Sequence, residues 1–79
     1  MKIAIVGCGY VAESYAKTLG NYPELELIGA YDRNDQNLQA FSNRWCIPTY
    51  RSFELLLDDP SVELVLNLTN PRSVARLRL

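Results

Sequence analysis

The segment that most constrains this chain is Lys2–Ala12, KIAIVGCGYVA, in which a short apolar run passes straight into Gly7-x-Gly9-x-x-Ala12. Ile3 to Val6 is apolar without interruption, which suits a parallel strand covered on both faces. Immediately beyond the glycines the spacing becomes helical, with Val11, Ala12, Tyr15, Ala16 and Leu19 on one face. Each small residue of the turn then has its own task. Gly7 permits the tight turn, Gly9 lacks a Cβ and lets a pyrophosphate come close to the backbone, and Ala12 lets the helix pack against the strand. The free first-turn N–H groups of Tyr10 and Val11 point at the phosphates, and the helix dipole favours their negative charge.

The alternation continues along the chain. Gly20 is placed to end the first helix, Asn21 to Pro23 reads as a turn, and Leu25 to Tyr31 reads as a second strand. Asn34 can cap a second helix, with Asp35 in its first turn and Leu38, Phe41 and Trp45 as its buried stripe. Ile47-Pro48 breaks that helix, and Thr49-Tyr50 is a short third strand. Ser52 caps a brief helix with Phe53, Leu56 and Leu57 inward. Asp58 to Pro60 turns, Val62 to Leu68 is a fourth strand, and Thr69-Asn70-Pro71 ends it. This order predicts an α/β fold, a partial doubly wound parallel sheet of Rossmann-like type in three αβα layers, with strand order 3-2-1-4. Ser73 to Leu79 shows no further strand, and Val74 and Leu77 are expected to dock as a short helix on one sheet face. The outer edge of the fourth strand is then unpaired, which predicts a homo-oligomer formed through it.

A lone GxGxxA match is a weak signal, and its context strengthens it. A strand precedes it, a helix follows, and Asp32 closes the second strand about 20 residues beyond Ala12. A carboxylate there accepts hydrogen bonds from both adenosine ribose hydroxyls and repels a 2′-phosphate, which favours NAD and leaves NADP open. Arg33 has three readings: a guanidinium over the adenine face, a partner for a 2′-phosphate, or a solvated residue ahead of a helix. Thr69 and Asn70 leave the carboxyl end of the fourth strand, where ligands sit in open α/β sheets, and can reach the ribose or nicotinamide side. Asn-Pro is equally a turn former. Tyr10 covers the pyrophosphate or shields the helix start. Cys8 stands where a helix terminus can lower a thiol pKa, although a small side chain is all that the loop needs.

Composition narrows the classes further. A net charge of −1 provides no field that gathers nucleic acid, and Arg72, Arg76 and Arg78 crowd the chain end as a solvated tilt. The 79 residues contain no histidine, which removes the commonest metal ligand and the commonest general base together. Cys8 and Cys46 form no CxxC pair, so a metal site is not expected and a reduced, cytoplasmic setting is. The apolar run that ends at Gly7 is too short for a signal-peptide core or a membrane span.

Five stretches together resemble the glucose–fructose oxidoreductase and inositol dehydrogenase family (Gfo/Idh/MocA). They are Lys2–Ala12, Pro23–Arg33 (PELELIGAYDR) with Ile47-Pro48 after it, Leu55–Pro60 (LLLDDP), and Val62–Pro71 (VELVLNLTNP). The resemblance implies an NAD(P)-dependent oxidoreductase acting on sugars, inositols and related hydroxyl compounds, with Gly7, Gly9, Ala12 and Asp32 at its cofactor positions. It also implies a carboxy-terminal substrate domain and a Glu-Lys-Pro segment whose lysine assists catalysis, neither of which these residues contain. The histidine that the family usually carries after the Asn-Pro loop is absent too. The expectation is a cut-short dinucleotide-binding domain over 1–73 and a tail over 74–79 that departs from the family pattern, with no catalytic residue. The competing reading is a non-enzymatic, self-associating remnant with vestigial nucleotide affinity. An S-adenosylmethionine methyltransferase also uses a glycine loop and an acid after its second strand, but the GxGxxA spacing and the lack of a helix ahead of the first strand argue against it.

Overall fold

The computed structural model describes residues 1–69 and 74–77. Along them run β1 (Lys2–Val6), α1 (Tyr10–Leu19), β2 (Glu26–Tyr31), α2 (Asp35–Trp45), α3 (Phe53–Asp58), β3 (Leu64–Asn67) and β4 (Val74–Leu77). The sheet order is β2-β1-β3-β4, and β1 runs parallel to both of its neighbours. Ile3, Ala4, Ile5 and Val6 are all buried, as a central parallel strand requires. Ile3 and Ile5 face Ala12, Ala16 and Leu19 of α1 and Leu38 and Phe41 of α2. Ala4 and Val6 face Leu56 of α3, with Val62 and Val65. The sheet is thus sandwiched between helical layers, in the α/β Rossmann-like arrangement expected.

Local sequence accounts for the helix ends. Asn37 N–H donates to the Asn34 side chain at 3.0 Å, and Leu55 N–H donates to Ser52 Oγ at 3.1 Å. The apolar face of α1 is narrower than its spacing suggested: Val11 and Tyr15 are exposed, while Ala12, Ala16 and Leu19 are buried. Small residues let this helix sit close to β1, and a stripe that narrow leaves its flanks in solvent. Leu57 is likewise exposed. On its outer flank α1 is tied to α2, where Trp45 Nε1–H donates to Glu13 Oε2 at 2.7 Å.

Two strand expectations change. The third strand shrinks to a single parallel bridge between Thr49 and Ala30. Ala30 N–H donates to Pro48 O at 3.2 Å, and Tyr50 N–H donates to Ala30 O at 2.9 Å. The bridge lies beside β2, where the 3-2-1-4 order puts it, but Pro48 has no N–H and Ser52 already caps a helix. The unpaired edge of the fourth strand is overturned. That strand is β3, and β4 runs antiparallel along it, matching Leu64 with Leu77 and Asn67 with Val74. Residues 74–77 are therefore a strand, not a short helix, and the homo-oligomer through that edge loses its basis. A nearby segment of the same chain completes the ladder at far lower entropic cost than a second molecule.

The β1–β2 register slips by one residue: Ile3 pairs with Leu27, but Ala4 pairs with Gly29. Ile28 is the extra residue. The slip places Ala30 in the cluster with Ile5 and Tyr31 in the one with Val6.

Candidate dinucleotide-binding site

The carboxyl ends of β1, β2 and β3 open into a cavity of about 600 Å³, the crevice where open α/β sheets take ligands. Gly7 occupies its floor with φ +94°, and an added Cβ would lie 2.9 Å from the Leu68 carbonyl carbon. Its N–H donates to Tyr31 O at 2.8 Å, while Leu68 N–H donates to Val6 O at 2.7 Å. The loop is thus wedged between the ends of β2 and β3, and glycine is needed on both conformational and steric grounds. Gly9 differs. It caps α1 with φ −89°, and a Cβ there would meet nothing within 4 Å. No described atom demands this glycine, and the space above it can admit a ligand. No side chain caps the start of α1, and the first-turn N–H groups of Tyr10 and Val11 have no intrahelical acceptor. Ala12 is fully buried beneath them.

Asp32 is built into the loop. Its Oδ2 accepts Cys8 N–H and its Oδ1 accepts Asn34 N–H, each at 2.7 Å. A carboxylate oxygen has two lone pairs, so each keeps one for a ribose hydroxyl. The carboxylate therefore joins β2 to the glycine loop as well as facing the cavity. Arg33 is exposed and lines the same cavity. Thr69 lines it too, with its hydroxyl donating to Asn67 Oδ1 at 2.7 Å. Asn70 lies outside the described residues. The Tyr10 side chain is 91% exposed and shields nothing at the helix start. Cys8 is no activated thiol: burial, then the Asp32 and Glu13 carboxylates, push it from 9.0 up to about 12. It serves as a small buried residue whose Sγ lies 3.7 Å from Tyr31 O.

The cavity also contains residues that the motif reading missed, chiefly Phe53, Glu54 and Asn67. Phe53 and Glu54 follow the Thr49 bridge, and any residue just past a parallel strand's carboxyl end stands at this edge of the sheet. That signal was present in the sequence, but the third strand was too short to give it weight. Among the described residues, no group of three or more His, Cys, Asp or Glu side chains is placed to hold a metal ion. No described helix is long and apolar enough to cross a membrane.

Residues 1–75 match the profile of an oxidoreductase family with an NAD-binding Rossmann fold, GFO_IDH_MocA. The chain belongs to this family. A curated relative is glucose-6-phosphate 3-dehydrogenase of Bacillus subtilis, 33% identical over 57 residues, which make up 72% of this chain and 16% of that protein. Among solved structures, biliverdin reductase of Synechocystis in complex with biliverdin and NADP+ superposes with a TM-score of 0.81 at 26% identity. That match covers 86% of this chain and 22% of the other. The WlbA dehydrogenase of Chromobacterium violaceum, in complex with NADH and UDP-GlcNAcA, superposes with a TM-score of 0.80 at 26% identity. It covers 87% of this chain and 20% of the other. The chain thus spans about a fifth of the length of these proteins, and its own matched residues are those of the NAD-binding Rossmann fold.

Proposed function

We propose that this chain binds NAD(H) as the cofactor segment of an oxidoreductase acting on sugar- or inositol-like hydroxyl compounds, and that the 79-residue chain alone is inactive. The observation that carries the cofactor reading is the open space over Gly9, flanked by uncapped α1 N–H groups and by an Asp32 carboxylate with lone pairs to spare. Tyr10 and Val11 N–H hold the pyrophosphate, Gly9 admits it, and Asp32 accepts the adenosine ribose hydroxyls. Arg33 borders the adenosine side, and Thr69 borders the nicotinamide side. When bound, the nicotinamide supplies hydride transfer. The chain's own part is to bind and orient. The substrate class is supported by the family resemblance and by the glucose-6-phosphate 3-dehydrogenase relative. A cytoplasmic setting, with neither nucleic acid nor membrane as partner, fits the charge and composition.

Fluorescence titration of the purified chain tests this reading. Saturable NADH binding, tighter than NADPH and absent for S-adenosylmethionine, is expected. No saturable NADH binding, or tighter binding of S-adenosylmethionine, would remove the proposal.

A further inference from the structure

Among the described residues, the cavity is lined by one cation, Arg33, and two carboxylates, Asp32 and Glu54. The two acids are held very differently. Asp32 is pinned by backbone N–H groups on both oxygens. Glu54 is exposed in the first turn of α3, and its carboxylate has no hydrogen-bond or ion-pair partner among the described residues. The start of α3 favours a negative charge there, and no described side chain pairs with it.

Topology decides which end of the cavity Glu54 serves. The bridge of Thr49 to Ala30 and the bond from Tyr50 N–H to Ala30 O bring this segment alongside the end of β2. The helix that carries Phe53 and Glu54 starts directly beyond, with Ser52 as its cap. Glu54 therefore stands on the β2 side with Asp32 and Arg33, across β1 from Asn67 and Thr69 at the end of β3. That is the side on which Asp32 would place the adenosine ribose.

We infer that Glu54 is a specificity-determining residue that acts with Asp32 to reject the 2′-phosphate of NADP(H). The inference rests on the dinucleotide reading above. A 2′-phosphate brings nearly two negative charges, and the described charged side chains lining the cavity sum to one negative charge with Glu54 present. Replacing Glu54 by glutamine brings that sum to zero, and replacing it by lysine makes it positive. Arg33 alone does not offset both acids, so an arginine after the β2 acid does not by itself make the site suited to NADP(H).

The test is to titrate NADH and NADPH against the full 79-residue chain, its Glu54→Gln variant and its Glu54→Lys variant, at low and high salt. The ratio of NADPH to NADH affinity should rise roughly 3- to 10-fold with glutamine and further with lysine, and the rise should shrink as salt screens the charges. An unchanged ratio in both variants while NADH still binds overturns the role of Glu54 alone. So does an equal loss of both cofactors, which would mark Glu54 as a general contact. Failure of the unmodified chain to bind NADH overturns the cofactor reading and this inference with it. Glu54 is exposed, and circular dichroism of each variant confirms that the fold is retained.

Discussion

Gly7 and Gly9 stand two positions apart in one loop, and the folded chain needs them for different reasons. Gly7 has a left-handed φ of +94° and sits against the backbone of Leu68 and Thr69. Gly7→Ala should therefore destabilise the chain by about 1–3 kcal/mol, read as a lower urea midpoint. Gly9 has an ordinary φ and open space around its Cα. Gly9→Ala should leave the midpoint within about 0.5 kcal/mol while weakening NADH, because the added methyl occupies the place proposed for the pyrophosphate. Parallel losses of stability and affinity in both variants would contradict this division. Asp32 likewise combines the loop bonds that the structure shows with the ribose role proposed above. Asp32→Ser removes a repulsive charge, so the gap between NADH and NADPH should narrow. It also releases the Cys8 and Asn34 N–H groups, so both cofactors should weaken, by about 1–3 kcal/mol for lost charge-assisted bonds. Titration of both cofactors separates the two effects. The position of Asp32 in the sequence suggests the ribose role that is proposed for it, but not the loop role, because only the fold brings Cys8 against it.

The helices and their caps could be read from local chemistry, as Asn34 and Ser52 show. The strands were less legible, since pairing partners lie far apart in sequence. Thr49 reached only a single bridge, and β3 gained a partner that the final residues gave no reason to expect. The slip at Ile28 could not be seen at all, yet it decides which face Ala30 and Tyr31 occupy. Packing around it also sets an alkaline limit. Burial, with the bond to Asp59, pushes the Tyr50 hydroxyl from 10.0 up to about 12, and Cys8 rises from 9.0 to about 12. The unfolded chain loses these protons first, so rising pH favours unfolding. The stabilisation is complete below pH 9.0 and is lost as pH climbs towards about 12. Urea midpoints should fall steadily across that window, and Tyr50→Phe with Cys8→Ala should flatten the decline. A flat profile in the unmodified chain would contradict these raised values.

At the scale of the whole molecule, the sheet is completed by the chain's own residues 74–77. A version ending at residue 73 uncovers the β3 edge, including Leu64 and Leu66, and should self-associate more strongly in sedimentation than the 79-residue chain. Equal sedimentation behaviour would show that β4 does not protect that edge. The proton-transfer groups are also poorly placed. The chain has no histidine, Lys2 begins β1 at the sheet end opposite the cavity, and Lys17 sits in the last turn of α1. With NAD+ and an inositol or sugar substrate, the chain alone should form no NADH. Absorbance growth at the reduced-nicotinamide band, reproduced in material free of host dehydrogenases, would refute this.

Amino-acid order alone specified the alternating α/β elements, the family, and the glycine loop with its acid, because each is a local pattern of side-chain size, periodicity and charge. Tertiary structure decided the rest. The one-residue slip in β2, the coupling of Asp32 to Cys8, the arrival of Glu54 at the cavity and the covering of β3 by β4 all bring together residues that are distant or differently paired along the chain. Hydrogen-bond registers and close packing select such contacts only once the sheet has formed.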